Sequence, residues 1–468
     1  MDIRLRFLGA TENVTGSRFV LEADGHRYLF DCGMHQERDL RERDWAPFPV
    51  EPSSIEAVLI THAHLDHCGY LPKLVREGFS GPVYCTPATA EIMKISLLDS
   101  GHLQESDAEN KKRRHEREGR KGPYPEVPLY TVEDAEKCFP QLHPVRYKQP
   151  VKLVESVSAT FYDAGHILGS AMIAVDVQKN GQQRRIIFSG DIGRWDRPIV
   201  RNPTTFEEAD YIVMESTYGN RTHADIEAID GQLEQVINDT VKARGNIIVP
   251  SFAIERAQEL LYHMRELLTA NRIPHLLVFL DSPMAIKVTE VFRNHPELYD
   301  EDAKEILNKS GSPFDFSGLV AVSSTDQSKA LNYLGGSAMV IAGSGMVTGG
   351  RIKHHLVNNI TRPEATILFV GYQAVGTLGR TIVDGAEEVR IFGEKYPVRA
   401  RIEQIQGFSS HADQNELLKW LSTVKSAPRK VFIVHGEKES SEEFAALLAK
   451  QRNWDVAIPG YRDEVVID

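Results

Sequence analysis

Cysteine is scarce in this sequence of 468 residues, which contains only Cys32, Cys68, Cys85 and Cys138. No two of these cysteines stand at a Cys-x-x-Cys spacing. The sequence therefore supports neither a disulfide framework nor a zinc knuckle built from thiolates. We interpret the four thiols as buried apolar side chains.

Long hydrophobic runs are also missing. The longest, such as residues 247–250 and 275–280, have the length of a strand and fall far short of the roughly 20 residues that a membrane span requires. The first residues lead directly into alternating apolar positions, without the pattern of a signal peptide. We therefore expect a soluble protein with no membrane partner and a cytoplasmic location.

The sequence has fewer basic than acidic residues. The 54 Lys and Arg residues face 66 Asp and Glu residues, and the formal net charge is -12. This balance argues against non-specific binding of duplex nucleic acid through overall charge, so a nucleic-acid substrate would need local cationic contacts. One marked cationic run, KKRRHEREGRK, spans residues 111–121. A solvated surface helix or loop is its first interpretation, and a surface that follows RNA is the second.

The order of predicted elements indicates two domains, one of them discontinuous. Short strands and turns fill the first part of the chain, longer helices alternate with strands from about residue 225, and short strands return after about residue 398. An α/β domain inserted into another domain is the simplest interpretation. We place the boundaries at 1–218 and 399–468 for the divided domain and at 219–398 for the insert.

A cluster of possible metal ligands follows the predicted strand at residues 57–60. The segment THAHLDHCG packs three imidazoles and a carboxylate into six positions, and chance would produce that pattern in about one chain in a thousand of this composition. Imidazole and carboxylate are the ligand types of Zn²⁺ in hydrolytic sites. In a tight loop, His62 and His64 share one side, while Asp66 and His67 point to another. Two metal ions a few ångströms apart follow from that arrangement.

Three further segments extend the pattern in chain order: Phe30-Asp31-Cys32-Gly33, Gly165-His166 and Ser189-Gly190-Asp191. Together with the histidine loop they resemble the metallo-β-lactamase superfamily. The resemblance implies the α/β class and, for the first domain, a two-sheet αββα sandwich.

The resemblance also assigns roles to these residues. It implies that His62, His64 and His166 hold one zinc ion, that Asp66 and His67 hold the other, and that Asp191 bridges both around a hydroxide. Asp31 would accept a hydrogen bond from a ligand imidazole and thereby fix its tautomer. His166 and Asp191 are candidate ligands only because they occur in chain order with the other segments. Single His and Asp residues are common at strand ends.

Three later segments of the chain are more specific. MESTYG at 214–219, FSSHAD at 408–413 and VHGE at 434–437 look like motifs A, B and C of the β-CASP branch, whose members cut RNA and DNA and contain an inserted domain. The resemblance implies that His435 completes the second zinc site. It also implies that His411, held by Glu215, is the general acid for the leaving oxygen. A histidine in motif C favours RNA over DNA.

Glycine and arginine residues of the insert are candidate phosphate contacts. A turn at 344–351, SGMVTGGR, has glycines that can face backbone N–H groups outward, followed by an expected helix start. An ordinary glycine-rich turn remains an equal alternative, and surface ion pairs remain as plausible for the arginines. The candidate residues are Ser344, Gly345, Gly349, Gly350, Arg351, Arg256 and Arg380.

We therefore predict a zinc-dependent ribonuclease that takes single-stranded RNA, acts as an endonuclease, a 5′-to-3′ exonuclease or both, and carries two Zn²⁺ per chain. A homodimer is the candidate assembly, since bacterial-type relatives commonly dimerise. Two other functions remain open: a non-catalytic RNA-binding partner, and hydrolysis of a thioester or lactone. Fold class alone does not separate them.

Overall fold

The computed structural model describes residues 3–120, 125–223 and 228–467. The last residue of the cationic run, Lys121, lies outside these ranges. The chain folds into two compact units. The first comprises Met1–Trp195, Asn202–Thr222 and His411–Asp468, and the second comprises Asp196–Arg201 and His223–Ser410. Within the described residues, none of the helices has the length and apolar character needed to cross a membrane.

The strands are numbered β1 to β22 in chain order. They are Ile3–Phe7, Phe19–Ala23, His26–Phe30, Ala57–Leu59, Val83–Cys85, Leu142–Pro144, Pro150–Val154, Val157–Asp163, Ala171–Lys179, Gln182–Phe188, Tyr211–Glu215, Ile247–Pro250, Leu277–Asp281, Leu319–Ala321, Ala338–Ala342, Thr366–Val370, Glu388–Ile391, Glu394–Pro397, Arg401–Ile405, Lys430–Val434, Val456–Ala457 and Glu464–Ile467.

The α-helices are numbered α1 to α14 in the same way. They are Glu42–Trp45, Leu65–Cys68, Leu71–Arg76, Pro87–Glu118, Val132–Cys138, Ala228–Lys242, Arg256–Thr269, Pro283–Asn294, Glu301–Ser310, Thr325–Ala330, Ile352–Asn359, Leu378–Val383, Gln414–Leu421 and Lys438–Arg452. Short 3₁₀ turns cover Arg38–Leu40, Pro52–Ser54, Phe139–Gln141, Pro296–Leu298, Leu331–Tyr333 and Gln406–Phe408.

The first unit is a sandwich of two seven-stranded sheets, ordered β22-β1-β2-β3-β4-β5-β6 and β21-β20-β11-β10-β9-β8-β7. Their facing sides form one hydrophobic core, in which the rings of Phe30 and Phe188 stack at 3.8 Å. Helices α13 and α14 cover the outer side of the second sheet through Trp420, Leu421 and Phe444. These layers agree with the αββα sandwich expected from the sequence.

The topology brings several strand ends to one edge of the second sheet. Strands β8, β9 and β10 are antiparallel neighbours, so β8 and β10 run in the same direction, and β11 and β20 continue parallel to β10. The carboxyl ends of β8, β10, β11 and β20 therefore meet. In the first sheet β3 and β4 are parallel as well.

The second unit contains a six-stranded sheet, ordered β14-β13-β15-β12-β16-β19, in which all pairings are parallel. Strands β12, β15 and β16 are buried along their whole length, as expected for a parallel sheet with both faces covered. A separate antiparallel pair, β17 and β18, completes the unit.

Most of the expected elements are present at nearly the expected positions. The strand-length apolar run at residues 247–250 forms the strand Ile247–Pro250, and all four cysteines are free and buried, as predicted. One strand is placed differently: Arg401–Ile405 pairs with Thr366–Val370 and so belongs to the second unit. The compact units consequently divide between residues 410 and 411, whereas the sequence placed the boundary at 398.

Candidate active site

Six strand ends supply the polar residues of the candidate site, all within the first unit. Asp31 follows β3, the histidine loop follows β4, and His166 follows β8. Asp191, Glu215 and His435 stand at the ends of β10, β11 and β20. Loops at the ends of rigid strands hold such side chains in fixed positions without requiring them to pack in the core.

Two glycines allow these loops to approach each other closely. Gly33 lies so near the histidine loop that a Cβ atom there would stand 1.6 Å from the Asp66 carbonyl oxygen. Gly190 has a φ of 53°, and a Cβ atom there would meet the Thr61 side chain at 2.7 Å. A larger residue at Gly33 would displace the Asp66 backbone, and one at Gly190 would displace Thr61, the residue before His62.

One group of candidate ligands comprises His62, His64, His166 and Asp191, whose ligand atoms all lie within 4.8 Å of one another. His64 Nδ1 is 3.1 Å from His62 Nε2 and 3.3 Å from His166 Nε2. Asp191 Oδ2 is 3.4 Å from His62 Nε2 and 3.5 Å from His166 Nε2. The four side chains therefore surround one position suited to a cation.

A second group comprises Asp66, His67 and His435. The Nε2 atoms of His67 and His435 are 3.0 Å apart, and Asp66 Oδ2 is 3.6 Å from His435 Nε2. Asp191 reaches this group through its other oxygen, Oδ1, which is 3.3 Å from His67 Nε2. One carboxylate thus faces both groups, as a bridging ligand would.

The donor atoms fit divalent metal ions. Asp191 Oδ1 is buried without a hydrogen-bond partner, a costly state for a carboxylate oxygen unless a cation neutralises it. Burial lowers the pKa of His62 well below its ordinary value and that of His64 to about 4. Both rings are therefore neutral and can present a lone pair to a metal. Hard carboxylate oxygen and imidazole nitrogen together suit zinc and similar ions.

Asp31 orients one of these imidazoles. Its Oδ2 is 2.7 Å from His67 Nδ1, and its Oδ1 accepts hydrogen bonds from the backbone N–H and the hydroxyl of Thr61 at 2.8 and 2.9 Å. His67 Nδ1 therefore donates to Asp31, which leaves Nε2 free for a metal. The Ser17 hydroxyl donates to Asp31 as well, at 3.3 Å. Neither Thr61 nor Ser17 was among the site residues predicted from the sequence.

Glu215 and His411 form a separate pair beside the two ligand groups. Glu215 is fully buried, its Oε1 accepts a hydrogen bond from the Ile192 N–H, and its Oε2 lies 3.1 Å from His411 Nδ1. Burial disfavours a charged ring, but the carboxylates of Glu215 and Asp191 outweigh it and raise the pKa of His411 to about 9. The side chain of His411 remains 20% exposed, so it can reach a substrate. A partly exposed imidazolium at this position can donate a proton.

The glycine-rich turn belongs to the second unit and is held by hydrogen bonds between its own residues. The Ser344 hydroxyl accepts hydrogen bonds from the N–H groups of Thr348 and Gly349 at 3.1 and 3.3 Å. The guanidinium of Arg351 bonds to the buried carboxylate of Asp281 at 2.6 Å. That bond gives Arg351 a role in fixing the turn, which the sequence analysis did not foresee. Phosphate binding by the turn stays a prediction.

The other two arginines of the expected phosphate site also have partners within the second unit. Arg256 bonds to the Val370 carbonyl oxygen at 3.4 Å and lies over the Phe408 ring. Arg380 forms an ion pair with Asp384 at 2.8 Å. Phosphate contacts by these residues likewise stay a prediction.

Comparison with known families identifies three regions of the chain. Residues 20–193 match a metallo-beta-lactamase superfamily domain, residues 257–382 match a Beta-Casp domain, and residues 395–459 match a Zn-dependent metallo-hydrolase RNA specificity domain.

Several similar proteins span the chain. Ribonuclease TTHA0252 of Thermus thermophilus is 37% identical over 99% of this chain and 100% of its own length. Transcription termination factor FttA of Methanocaldococcus jannaschii is 30% identical over 95% of this chain and 68% of its own, and an RNase J-like protein of the same organism is 28% identical over 98% of each. A crystal structure of a protein of unknown function from Enterococcus faecalis shares the fold, with a TM-score of 0.58, 11% identity and complete coverage of both chains.

The sandwich, the strand-end loops and the shared carboxylate define a metal-dependent hydrolase of the metallo-β-lactamase superfamily. Within that superfamily, the chain belongs to the β-CASP branch.

Proposed function

We propose that this protein is a zinc-dependent ribonuclease that hydrolyses phosphodiester bonds of RNA at a site for two Zn²⁺ ions. The observation that carries the proposal is Asp191, whose two oxygens face two separate ligand groups beside the His411–Glu215 pair. Similarity to Ribonuclease TTHA0252 and to an RNA specificity domain supports RNA as the substrate.

Seven residues would hold the ions. His62, His64 and His166 would bind one, Asp66, His67 and His435 would bind the other, and Asp191 would bind both. When bound, two such ions supply a water of lowered pKa as nucleophile and stabilise negative charge on the phosphate.

The protein's own residues account for proton transfer to the leaving group. Cleavage of a phosphodiester expels an alkoxide, which needs a proton at neutral pH. His411 is the donor, because it is partly exposed and its raised pKa keeps the ring protonated near pH 7. Glu215 holds the ring through Nδ1, so the proton at Nε2 is the one available to the leaving oxygen.

Two other functions remain as competitors. A non-catalytic RNA-binding protein would not need a buried carboxylate that faces two histidine groups and has one oxygen without a hydrogen bond. A thioesterase or lactonase would not need the His411–Glu215 pair together with an RNA specificity domain.

An assay of the purified protein with 5′-labelled RNA, a thioester and a lactone in parallel tests the proposal. We expect cleavage of RNA that stops on chelation and returns with zinc. Binding of RNA without cleavage in zinc-replete buffer would favour the non-catalytic function, and turnover of the thioester or lactone alone would replace the proposal. Comparing products from RNA with a 5′-phosphate and a 5′-hydroxyl would separate endonuclease from 5′-to-3′ exonuclease action.

The Asp31→Asn variant should bind zinc about 10- to 100-fold more weakly, because an amide stabilises the required His67 tautomer less well than a carboxylate does. Cleavage at saturating zinc should stay close to that of the wild type. Zinc affinity measured by competition with a chelator checks this. Ser17→Ala, which removes only the longer 3.3 Å hydrogen bond to Asp31, is the matched control. Equal zinc affinity in Asp31→Asn and the wild type would contradict the assigned role.

A further inference from the structure

Helix α4 is anchored to the candidate active site at its first turn. Thr86 caps the helix, and the hydroxyls of Thr86 and Thr89 donate to the Gly169 carbonyl oxygen at 2.6 and 2.8 Å. Gly169 lies three residues after His166, in the same loop. The helix has 32 residues, about 48 Å at about 1.5 Å per residue, whereas a typical helix has about 11.

The same helix passes beside the histidine loop. Gln104 Nε2 is 4.0 Å from Met34 Sδ, and the Met34 N–H donates to the Leu65 carbonyl oxygen at 2.9 Å. After Gly101 only Ala108 and His115 of the helix are buried. The remaining turns are exposed, so packing does not determine their side chains.

These exposed turns carry the cationic run. Lys111, Arg114 and Arg117 stand three residues apart, which places them on one face of the helix. In the described part of the chain, no carboxylate lies within ion-pair distance of these three residues or of Lys112. We call Lys111, Arg114 and Arg117 the cationic face of α4.

Neighbouring cations of the run behave differently. Arg113 pairs with Glu109, and Arg120 pairs with Glu118 at 2.6 Å. The Glu118 carboxylate, bonded to Arg120, also attracts Arg114 and Arg117 without forming an ion pair with either. Like charges three residues apart destabilise a helix slightly, so the three neighbouring cations oppose helix stability. In a protein with a net charge of -12, a concentration of cations on one helix indicates a polyanionic ligand.

We propose that the cationic face of α4 binds the phosphate backbone of RNA on one side of the scissile bond. The inference rests on the proposed function, because RNA is the polyanion that the site would cut. The seven residues from Gln104 to Lys111 add only about 10 Å of helix. We expect an RNA strand that leaves the site toward α4 to meet the cationic face.

The contacts would be independent of sequence, since they involve only phosphates. They would increase affinity and leave the chemical step unchanged, because no residue of the face touches a candidate ligand. These contacts would be the local cationic contacts that an acidic protein needs in order to bind RNA.

The test is a triple variant, Lys111→Gln, Arg114→Gln and Arg117→Gln, since glutamine retains helix propensity. On a 30-nucleotide RNA we expect KM and Kd to rise about tenfold at low salt, with kcat at saturating RNA unchanged. Each phosphate contact contributes about -0.7 to the slope of log K against log salt for a single strand. The slope should therefore become shallower by about 2.

A matched control replaces three exposed cations elsewhere in the same unit, Arg146→Gln, Lys148→Gln and Lys450→Gln. The control should have a KM within a factor of about two of the wild-type value. It should also keep the salt slope of the wild type. Equal KM and equal salt slope in the two triple variants would overturn the inference. A loss of kcat at saturating RNA in the α4 variant would overturn it too. Either result would leave the ribonuclease proposal in place. If the wild type neither binds nor cuts RNA, the proposed function fails, and the inference fails with it.

Discussion

The Asp191→Ala variant should lose most of its bound metal and cleave RNA at least about 10³-fold more slowly than the wild type. Asp191 presents one oxygen to each ligand group, so its removal weakens both sites together. Metal ions contribute several kcal/mol of transition-state stabilisation in such sites, and each 1.36 kcal/mol corresponds to about a tenfold change in rate. Metal analysis by mass spectrometry and an initial-rate assay measure the two effects.

Asp176→Ala is the matched control for this variant. Asp176 lies in β9 of the same sheet and pairs with Arg185 at 2.9 Å, away from both ligand groups. The control should retain metal and rate. An Asp191→Ala protein that folds, binds two ions and cleaves RNA at the wild-type rate would show that the site is misassigned.

The His411→Ala variant should keep its metal and its affinity for RNA while cleaving about 10²- to 10⁴-fold more slowly. His411 pairs with Glu215, and its Nδ1 stands 3.8 Å from the Asp191 carboxylate, so it lies beside the ligand groups without completing either. His435→Ala should instead lose affinity for the second ion, because His435 Nε2 faces His67 Nε2 at 3.0 Å. Metal content therefore distinguishes the two variants.

Sulfur substitution of the substrate tests the proton-donor role directly. An RNA whose scissile 3′-oxygen is replaced by sulfur releases a thiolate, which leaves with little need of a proton. This substrate should restore much of the lost rate in His411→Ala and little in His435→Ala. Rescue of neither variant, or loss of zinc from His411→Ala, would make His411 a ligand or a structural residue.

The candidate metal ligands could be found from the sequence for two different reasons. His62, His64, Asp66 and His67 stand within six positions, so their composition alone indicates a metal loop. His435 lies 368 residues from His67, and only the resemblance to the β-CASP motifs brought it into the predicted set. The structure brings all of these side chains together at strand ends.

Other features had no local signal in the sequence. The hydrogen bond from Ser17 to Asp31 depends on the pairing of β2 with β3, which no short pattern specifies. The bond between Arg351 and Asp281 joins residues 70 positions apart. The sequence pattern of the strand Arg401–Ile405 does not indicate which sheet it joins. Only its pairing with Thr366–Val370 assigns it to the second unit.

Helix α4 shows a different limit of the sequence analysis. The cationic run is evident in the sequence, and its first interpretation is a surface helix or loop. Its continuity with a helix that begins at Pro87 could not be predicted, because the exposed half lacks a clear apolar face. That continuity connects the run, through the hydrogen bond of Thr86 to Gly169, to the loop that contains His166.

We propose that two zinc ions held around Asp191 make this protein a ribonuclease. The most direct test is to titrate zinc into chelator-treated protein while following cleavage of a 5′-labelled RNA. We predict no cleavage without metal and a rate that reaches its maximum at about two equivalents per chain. Full activity in the metal-free protein, or a maximal rate at one equivalent with no second ion bound, would contradict the account.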